Sequence, residues 1–205
     1  MKNEEAHITE NTRIGNLHQE ISHYYNYAKK DRAKNTQNKI KHDIKVFLVD
    51  DDAFFLKGLH YFLTDNLPPK IKLRKFSNGE DCLNSLDEQP DIIVLDYMLN
   101  SGTGNNMNGL AVLKKINEVY PHAFVIMLSS QDSVDVALDT LNEGAYDYLS
   151  KSETAFIRLK NMIKNIAETI SEDIEQERTE IITKRINFFV IFFLIALFIM
   201  SRLIS

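Results

Sequence analysis

Six residues offer the clearest chemistry in this 205-residue chain: Asp50, Asp51 and Asp52 in a row, then Asp96, Ser129 and Lys151. Each stands at or just past the end of a short apolar run. Carboxylates gathered in one place repel one another unless a cation joins them, and hard oxygen donors with open positions suit Mg2+. A lysine ammonium is the second cation that such a cluster needs, and a serine hydroxyl can donate to an oxyanion. Together the set reads as a phosphoryl pocket. Metal and ammonium offset charge, a carboxylate can serve as nucleophile, and the hydroxyl bonds the transferred group.

The elements that must bring these residues together are visible from residue 43 onward. Apolar runs at Val46–Val49, Ile71–Phe76, Ile92–Leu95, Phe124–Leu128 and Tyr146–Leu149 alternate with segments long enough for helices. Runs of four or five aliphatic and β-branched residues read as fully buried strands of a parallel sheet. Between them, Ala53–Asn66 stops at Pro68 and Pro69, Gly79–Leu86 stops before Pro90, and Asn108–Val119 stops before Pro121. Proline just past a helix end is a breaker, because it lacks an N–H and cannot continue the ladder. Five strand–helix repeats with right-handed crossovers give an α/β fold, a doubly wound five-stranded parallel sheet, whose ligand site lies at the carboxyl ends of the strands. That edge is where the six residues fall.

Composition narrows the setting. With 44% hydrophobic and 26% charged residues, the chain is globular rather than fibrous or wholly disordered. The single cysteine, Cys82, excludes an internal disulfide and any Cys-rich zinc site, which fits a reducing compartment. No signal peptide opens the chain, so its main domain is expected in the cytoplasm. The net charge of −5 is unevenly spread: residues 43–151 carry nine basic and 17 acidic residues, and residues 1–42 carry eight and five. Residues 1–42 read as a polar arm ending in the basic run Lys29, Lys30, Arg32, Lys34, Lys39 and Lys41. Such an arm is a solvated linker or, on its charge clustering, a segment that touches anionic lipid.

Five motifs in order then resemble the receiver domain of bacterial two-component response regulators. They are VFLVDDDAFFLKGL (46–59), PDIIVLDYML (90–99), NGLAVLKKI (108–116), FVIMLSSQDS (124–133) and GAYDYLSKS (144–152). The resemblance covers roughly residues 45–165 and implies a flavodoxin-like receiver over 43–165. It implies that Asp96 is the phosphoacceptor, charged by a histidine kinase or phosphotransfer protein. It also implies that Asp50 and Asp51 hold Mg2+ with Asp96, and that the Met98 backbone carbonyl completes the metal shell. Ser129 and Lys151 match the hydroxyl and ammonium that bind phosphoryl oxygens, and Tyr148 matches the switch aromatic that follows Ser129 on phosphorylation. The catalysis implied is only the domain's own Mg2+-dependent phosphorylation and dephosphorylation.

Two departures from the family pattern stand out. SGTGNNMN (101–108) lengthens the loop between the acceptor and Gly109, and Ser152 replaces the usual proline after the lysine. Asp52 and Asp91 read as capping or solvent-facing residues rather than ligands. Two other readings compete: a receiver-like scaffold that is never phosphorylated, and a haloacid-dehalogenase-like phosphatase built on Asp50-x-Asp52. The latter lacks the Thr or Val expected two residues after Asp52, where Phe54 stands.

Past Lys151 a long helix is expected from about Thr154. Its apolar stripe, Phe156, Ile163, Ile166, Ile170, Ile174 and Ile181, would close the receiver and continue through a stem at 166–185. The stripe leaves a homodimer open as a coiled coil, although Glu177 stands where the next apolar residue belongs. Phe188–Met200 is then an unbroken apolar run, and 16 of the 19 residues from Ile186 to Ile204 are apolar. At 1.5 Å per residue that length is about 28 Å, near the roughly 30 Å hydrocarbon core of a bilayer. A transmembrane helix at 186–204 is expected, with Lys184 and Arg185 keeping the receiver on the cytoplasmic side of the inner membrane. The stem and anchor leave no room for a DNA-binding domain, so output through protein contacts and not nucleic acid is expected.

Overall fold

The structure is a computed structural model that describes residues 43–99, 107–130 and 133–204, with no side chain described at 173, 177 or 194–204. The arm at 1–42, and residues 101–106 of the lengthened loop, lie outside these. The chain divides after Ile166 into two compact units.

The first unit holds five parallel strands: β1 (Ile44–Val49), β2 (Ile71–Phe76), β3 (Ile92–Asp96), β4 (Phe124–Ser129) and β5 (Asp147–Ser150), in the order β2-β1-β3-β4-β5. The connecting helices are α1 (Ala53–Asn66), α2 (Gly79–Asn84), α3 (Gly109–Val119) and α4 (Val134–Asn142). Local chemistry starts three of them. Asp52, Asn78 and Asn108 stand at the N-caps of α1, α2 and α3, and each side chain accepts from backbone N–H groups of the first turn. The expected run Gly79–Leu86 breaks at Ser85, where α2 ends and a 3-10 turn at Leu86–Glu88 begins; Gln89, in the left-handed region with φ 58°, closes that turn.

β1, β3 and β4 are buried almost throughout, as central parallel strands must be. β2 is not. Ile71 and Phe76 are buried, while Lys72, Arg74 and Lys75 are exposed, because β2 lies at the edge of the sheet, with β1 its one neighbour among the described residues. The core on one face gathers Phe47, Val49, Ile93, Leu95, Leu113, Ile116, Val125 and Met127.

Helix α5 runs from Ala155 to Ile204. Its start belongs to the first unit, where Ala155, Leu159, Ile163 and Ile166 are buried. In the second unit, Ile181, Ile182, Ile186 and all of Phe188–Phe193 are exposed. Among the described residues no helix is long and apolar enough to cross a membrane. The side chains of 194–204, the larger part of the expected membrane helix, lie outside the described set.

Candidate functional site

Register brings the chemistry together. β3 pairs with β4 so that Asp96 faces Leu128, and β4 pairs with β5 so that Ser129 faces Ser150. Asp96, Ser129 and Lys151 therefore leave three adjacent strands at the same edge. Asp50 joins them from β1, whose Val49 is paired with Leu95. The backbone stitches the edge shut: Tyr97 N–H donates to Leu128 O at 2.7 Å, and Lys151 N–H to Ser129 O at 2.7 Å.

Within this edge, carboxylate oxygens of Asp50, Asp51 and Asp96 all lie within 4.8 Å of one another. Asp50 and Asp96 are buried, at 2% and 3% exposure, and Asp51 is exposed. The Lys151 ammonium sits between the two buried acids, 2.8 Å from Asp50 Oδ2 and 3.0 Å from Asp96 Oδ1. Asp50 Oδ1 accepts from Asp52 N–H at 2.9 Å, and Asp96 Oδ1 from Met98 N–H at 3.3 Å. Asp50 Oδ2 is fully buried and has the Lys151 ammonium as its partner.

The electrostatics follow. Burial is the strongest influence on Asp50 and raises its pKa above the ordinary 3.8; Lys151 opposes this, and the nearby Asp96 charge adds to it. For Lys151 burial alone would lower the pKa, but its hydrogen bonds and charge attraction to Asp50 and Asp96 win and raise it above 10.5. Removing the lysine would leave two buried carboxylates uncompensated, a change that costs about 3–5 kcal/mol when a buried pair is broken. Three carboxylates against one ammonium is an incomplete balance. A divalent cation with oxygen ligands fits this donor set, with Asp50, Asp51 and Asp96 to hold it.

The other sequence candidates separate. Ser129 is fully buried at the end of β4. Tyr148 is half-buried on β5 and packs against the core. Met98 lies two residues past the end of β3 and is 36% exposed. Asp52 stands apart from the pocket chemistry, since its Oδ1 accepts from Phe54 N–H at 2.9 Å and Phe55 N–H at 3.1 Å. That engagement makes Asp52 the N-cap of α1, the capping role its sequence position suggests. Asp91 is not solvent-facing: it is 4% exposed and accepts from Lys45 N–H at 3.0 Å, tying the start of β3 to β1. No cis peptide occurs among the described residues, so Lys151–Ser152 is trans.

Two further residues border the pocket. The ring of Phe55 lies beside the pocket, its centroid 4.5 Å from Lys151 Nζ. Gly109 brings α3 against the end of β3; a Cβ there would meet Asp96 O at 2.0 Å and Tyr97 Cα at 2.8 Å.

An acid cluster, a bridging lysine and a buried serine at the carboxyl edge of a 2-1-3-4-5 sheet are matched by a family pattern. The response regulator receiver domain spans residues 46–164, more than half of the chain. The chain belongs to that family. Among curated relatives, the receiver is similar to part of the DNA-binding transcriptional regulator NtrC of Proteus hauseri, 34% identical over 107 residues that make up 52% of this chain and 21% of NtrC. It is also similar to part of the protein-glutamate methylesterase/protein-glutamine glutaminase of Bacillus subtilis, 35% identical over 111 residues, 53% of this chain and 29% of that protein. The match thus spans well under a third of either relative, and the activities in their names belong to them. Of solved structures, the BeF3-activated receiver domain of DrrB superposes with a TM-score of 0.52 at 29% identity, covering 61% of this chain and 97% of that domain. DrrB is an OmpR/PhoB homologue of Thermotoga maritima.

Proposed function

We propose that this receiver accepts a phosphoryl group on Asp96 from a histidine kinase or phosphotransfer protein and signals through protein contacts from a membrane-attached position. The observation that carries the reading is the Asp96 carboxylate, buried at the strand edge and ion-paired to Lys151 inside a cluster of acids. A carboxylate oxygen of Asp96 attacks phosphorus. The P–N bond to the donor imidazole breaks as the P–O bond to Asp96 forms, and the imidazole leaves with the electron pair. Lys151 turns its N–H groups from carboxylates to phosphoryl oxygens, and the Ser129 hydroxyl donates to another. Asp50, Asp51, Asp96 and the Met98 carbonyl would hold Mg2+, which would supply the positive charge that lets an anion approach three acids. The new group adds a charge of about −1.5 to −2 and three acceptors, which draws Ser129 inward, and Tyr148 follows into the space it leaves. The receiver turns over no substrate of its own beyond this self-modification.

The anchor reading rests on the second unit. Six consecutive side chains, Phe188–Phe193, are each more than half exposed, and the apolar run continues in sequence to Met200. An all-round apolar helix of this length suits a single-pass inner-membrane span with the receiver in the cytoplasm, Lys184 and Arg185 flanking it on that side. Ile174, half-buried, and Ile181, 44% exposed, are the parts of the stem stripe left for pairing with a second copy.

Both parts are testable on the 205-residue chain. In detergent with acetyl phosphate and Mg2+, intact-mass measurement is expected to show one added phosphoryl group on wild type and none on Asp96→Ala. Wild type that gains no mass would favour the unphosphorylated scaffold instead. Expressed in bacteria, the chain is expected in carbonate-washed membranes; recovery in the supernatant would remove the anchor.

A further inference from the structure

We infer that Phe55 is a positioning residue for phosphoryl transfer, holding the Lys151 ammonium over the pocket by its ring face; the inference rests on Asp96 being the phosphoacceptor. The Lys151 ammonium has three N–H groups on a flexible four-carbon stem. Asp50 Oδ2 and Asp96 Oδ1 take up two directions, at 2.8 Å and 3.0 Å, and the Phe55 ring, 4.5 Å away, faces the cation from another. A ring face attracts a cation through its quadrupole, most strongly where water is excluded. The Lys151 side chain is 11% exposed.

What the ring offers differs from a carboxylate in one respect. It attracts the charge without supplying an acceptor atom that must be released. When a phosphoryl group arrives, Lys151 has to exchange its carboxylate partners for phosphoryl oxygens, and the ring keeps the ammonium in place during that exchange. The ring is itself held. The Phe55 N–H donates to Asp52 Oδ1 at 3.1 Å, and the Phe55 side chain meets Phe156 of α5 edge-on, with centroids 5.3 Å apart and planes at 75°. Phe156 in turn packs on Phe62 at 5.7 Å. Neighbouring Phe54, 90% exposed, has no such role and provides the matched control.

The test uses the detergent-solubilised 205-residue chain, with acetyl phosphate as donor and saturating Mg2+. Phe55→Leu is expected to lower the maximal phosphorylation rate by about fivefold to thirtyfold, the span from an exposed to a desolvated cation–π contact, with little change in the donor concentration needed for half-maximal rate. Phe55→Tyr should restore the rate and Phe54→Leu should leave it unchanged. Stepwise fluorination of the residue 55 ring, which drains its face while barely altering its size, should lower the rate stepwise; a purely packing role would leave the series flat and overturn the inference. Independently of phosphorylation, the Lys151 ε-methylene protons should resonate upfield in wild type through the ring current and lose that shift in Phe55→Leu. Absence of the shift in wild type would overturn the placement. A chain that shows the shift yet never gains a phosphoryl group would instead sink the phosphoacceptor reading, and the inference with it.

Discussion

Replacing Gly109 with alanine is a sharp probe of how closely Asp96 is held. The new Cβ would stand 2.0 Å from Asp96 O, 2.8 Å from Tyr97 Cα and 2.9 Å from Asp96 C, all of them backbone atoms that cannot rotate away. Relief requires a shift of about 1 Å between the start of α3 and the end of β3, and a misplacement of that size costs on the order of 100-fold in rate where geometry is set this closely. The Gly109 N–H to Tyr97 O hydrogen bond, 3.2 Å long, would stretch or break in the same movement. Overpacking adds a stability loss of about 1–3 kcal/mol. Gly58→Ala is the control: its Cβ would meet only the Phe156 ring at 3.7 Å, ordinary contact, and a Gly-to-Ala change inside a helix stabilises by about 0.5–1 kcal/mol. Initial phosphorylation rates from acetyl phosphate, read by intact mass beside thermal melts, compare the two. Gly109→Ala phosphorylating at the wild-type rate while still folded would refute the idea that this contact sets the position of Asp96.

Other outcomes follow from the same coordinates. Because the Asp50 pKa is raised, the folded state binds more protons than the unfolded one just above pH 3.8, so metal-free stability falls as pH rises through that window. Asp50→Asn removes the effect, and in EDTA its melting temperature should gain on wild type as pH rises from about 4; parallel curves would contradict the assignment. The Cys82 thiol is buried and its pKa is pushed up to about 12, so a thiol reagent at pH 8 should label it only when the chain is unfolded, as a colorimetric thiol titration in and out of denaturant will report. Asp91→Ala leaves the Lys45 N–H without its carboxylate and should cost about 1–3 kcal/mol in urea unfolding, with no change in phosphorylation rate.

The strand ends were legible because two independent patterns agree there. Apolar runs locate β1, β3 and β4, and the residue type changes sharply to Asp50, Asp96 and Ser129 as each run stops. Sequence reading went astray where position in the sheet, rather than composition, decides burial. Ile71–Phe76 looks like a buried run, yet its lysines and arginine face solvent because β2 is an edge strand among the described residues. Asp91 looks like a surface acid beside Pro90, and its burial depends on the Lys45 N–H that pairing across the sheet delivers. Phe55 was out of reach for a different reason. It meets Lys151 only because α1 and the end of β5 flank the same edge, a proximity that no local period encodes.

The charged border of β2 bears on how densely such receivers can be crowded. An open sheet presents unpaired N–H and C=O groups at its outer strands, and these invite strands from neighbouring molecules to add on. Here one outer strand presents Lys72, Arg74 and Lys75 to solvent, with Arg74 tied to Glu88, and the other, β5, is four residues long. One border is lined with charged side chains, which disfavour strand addition, and the other is too short to template one. Many copies can therefore be concentrated in one place without their sheets fusing.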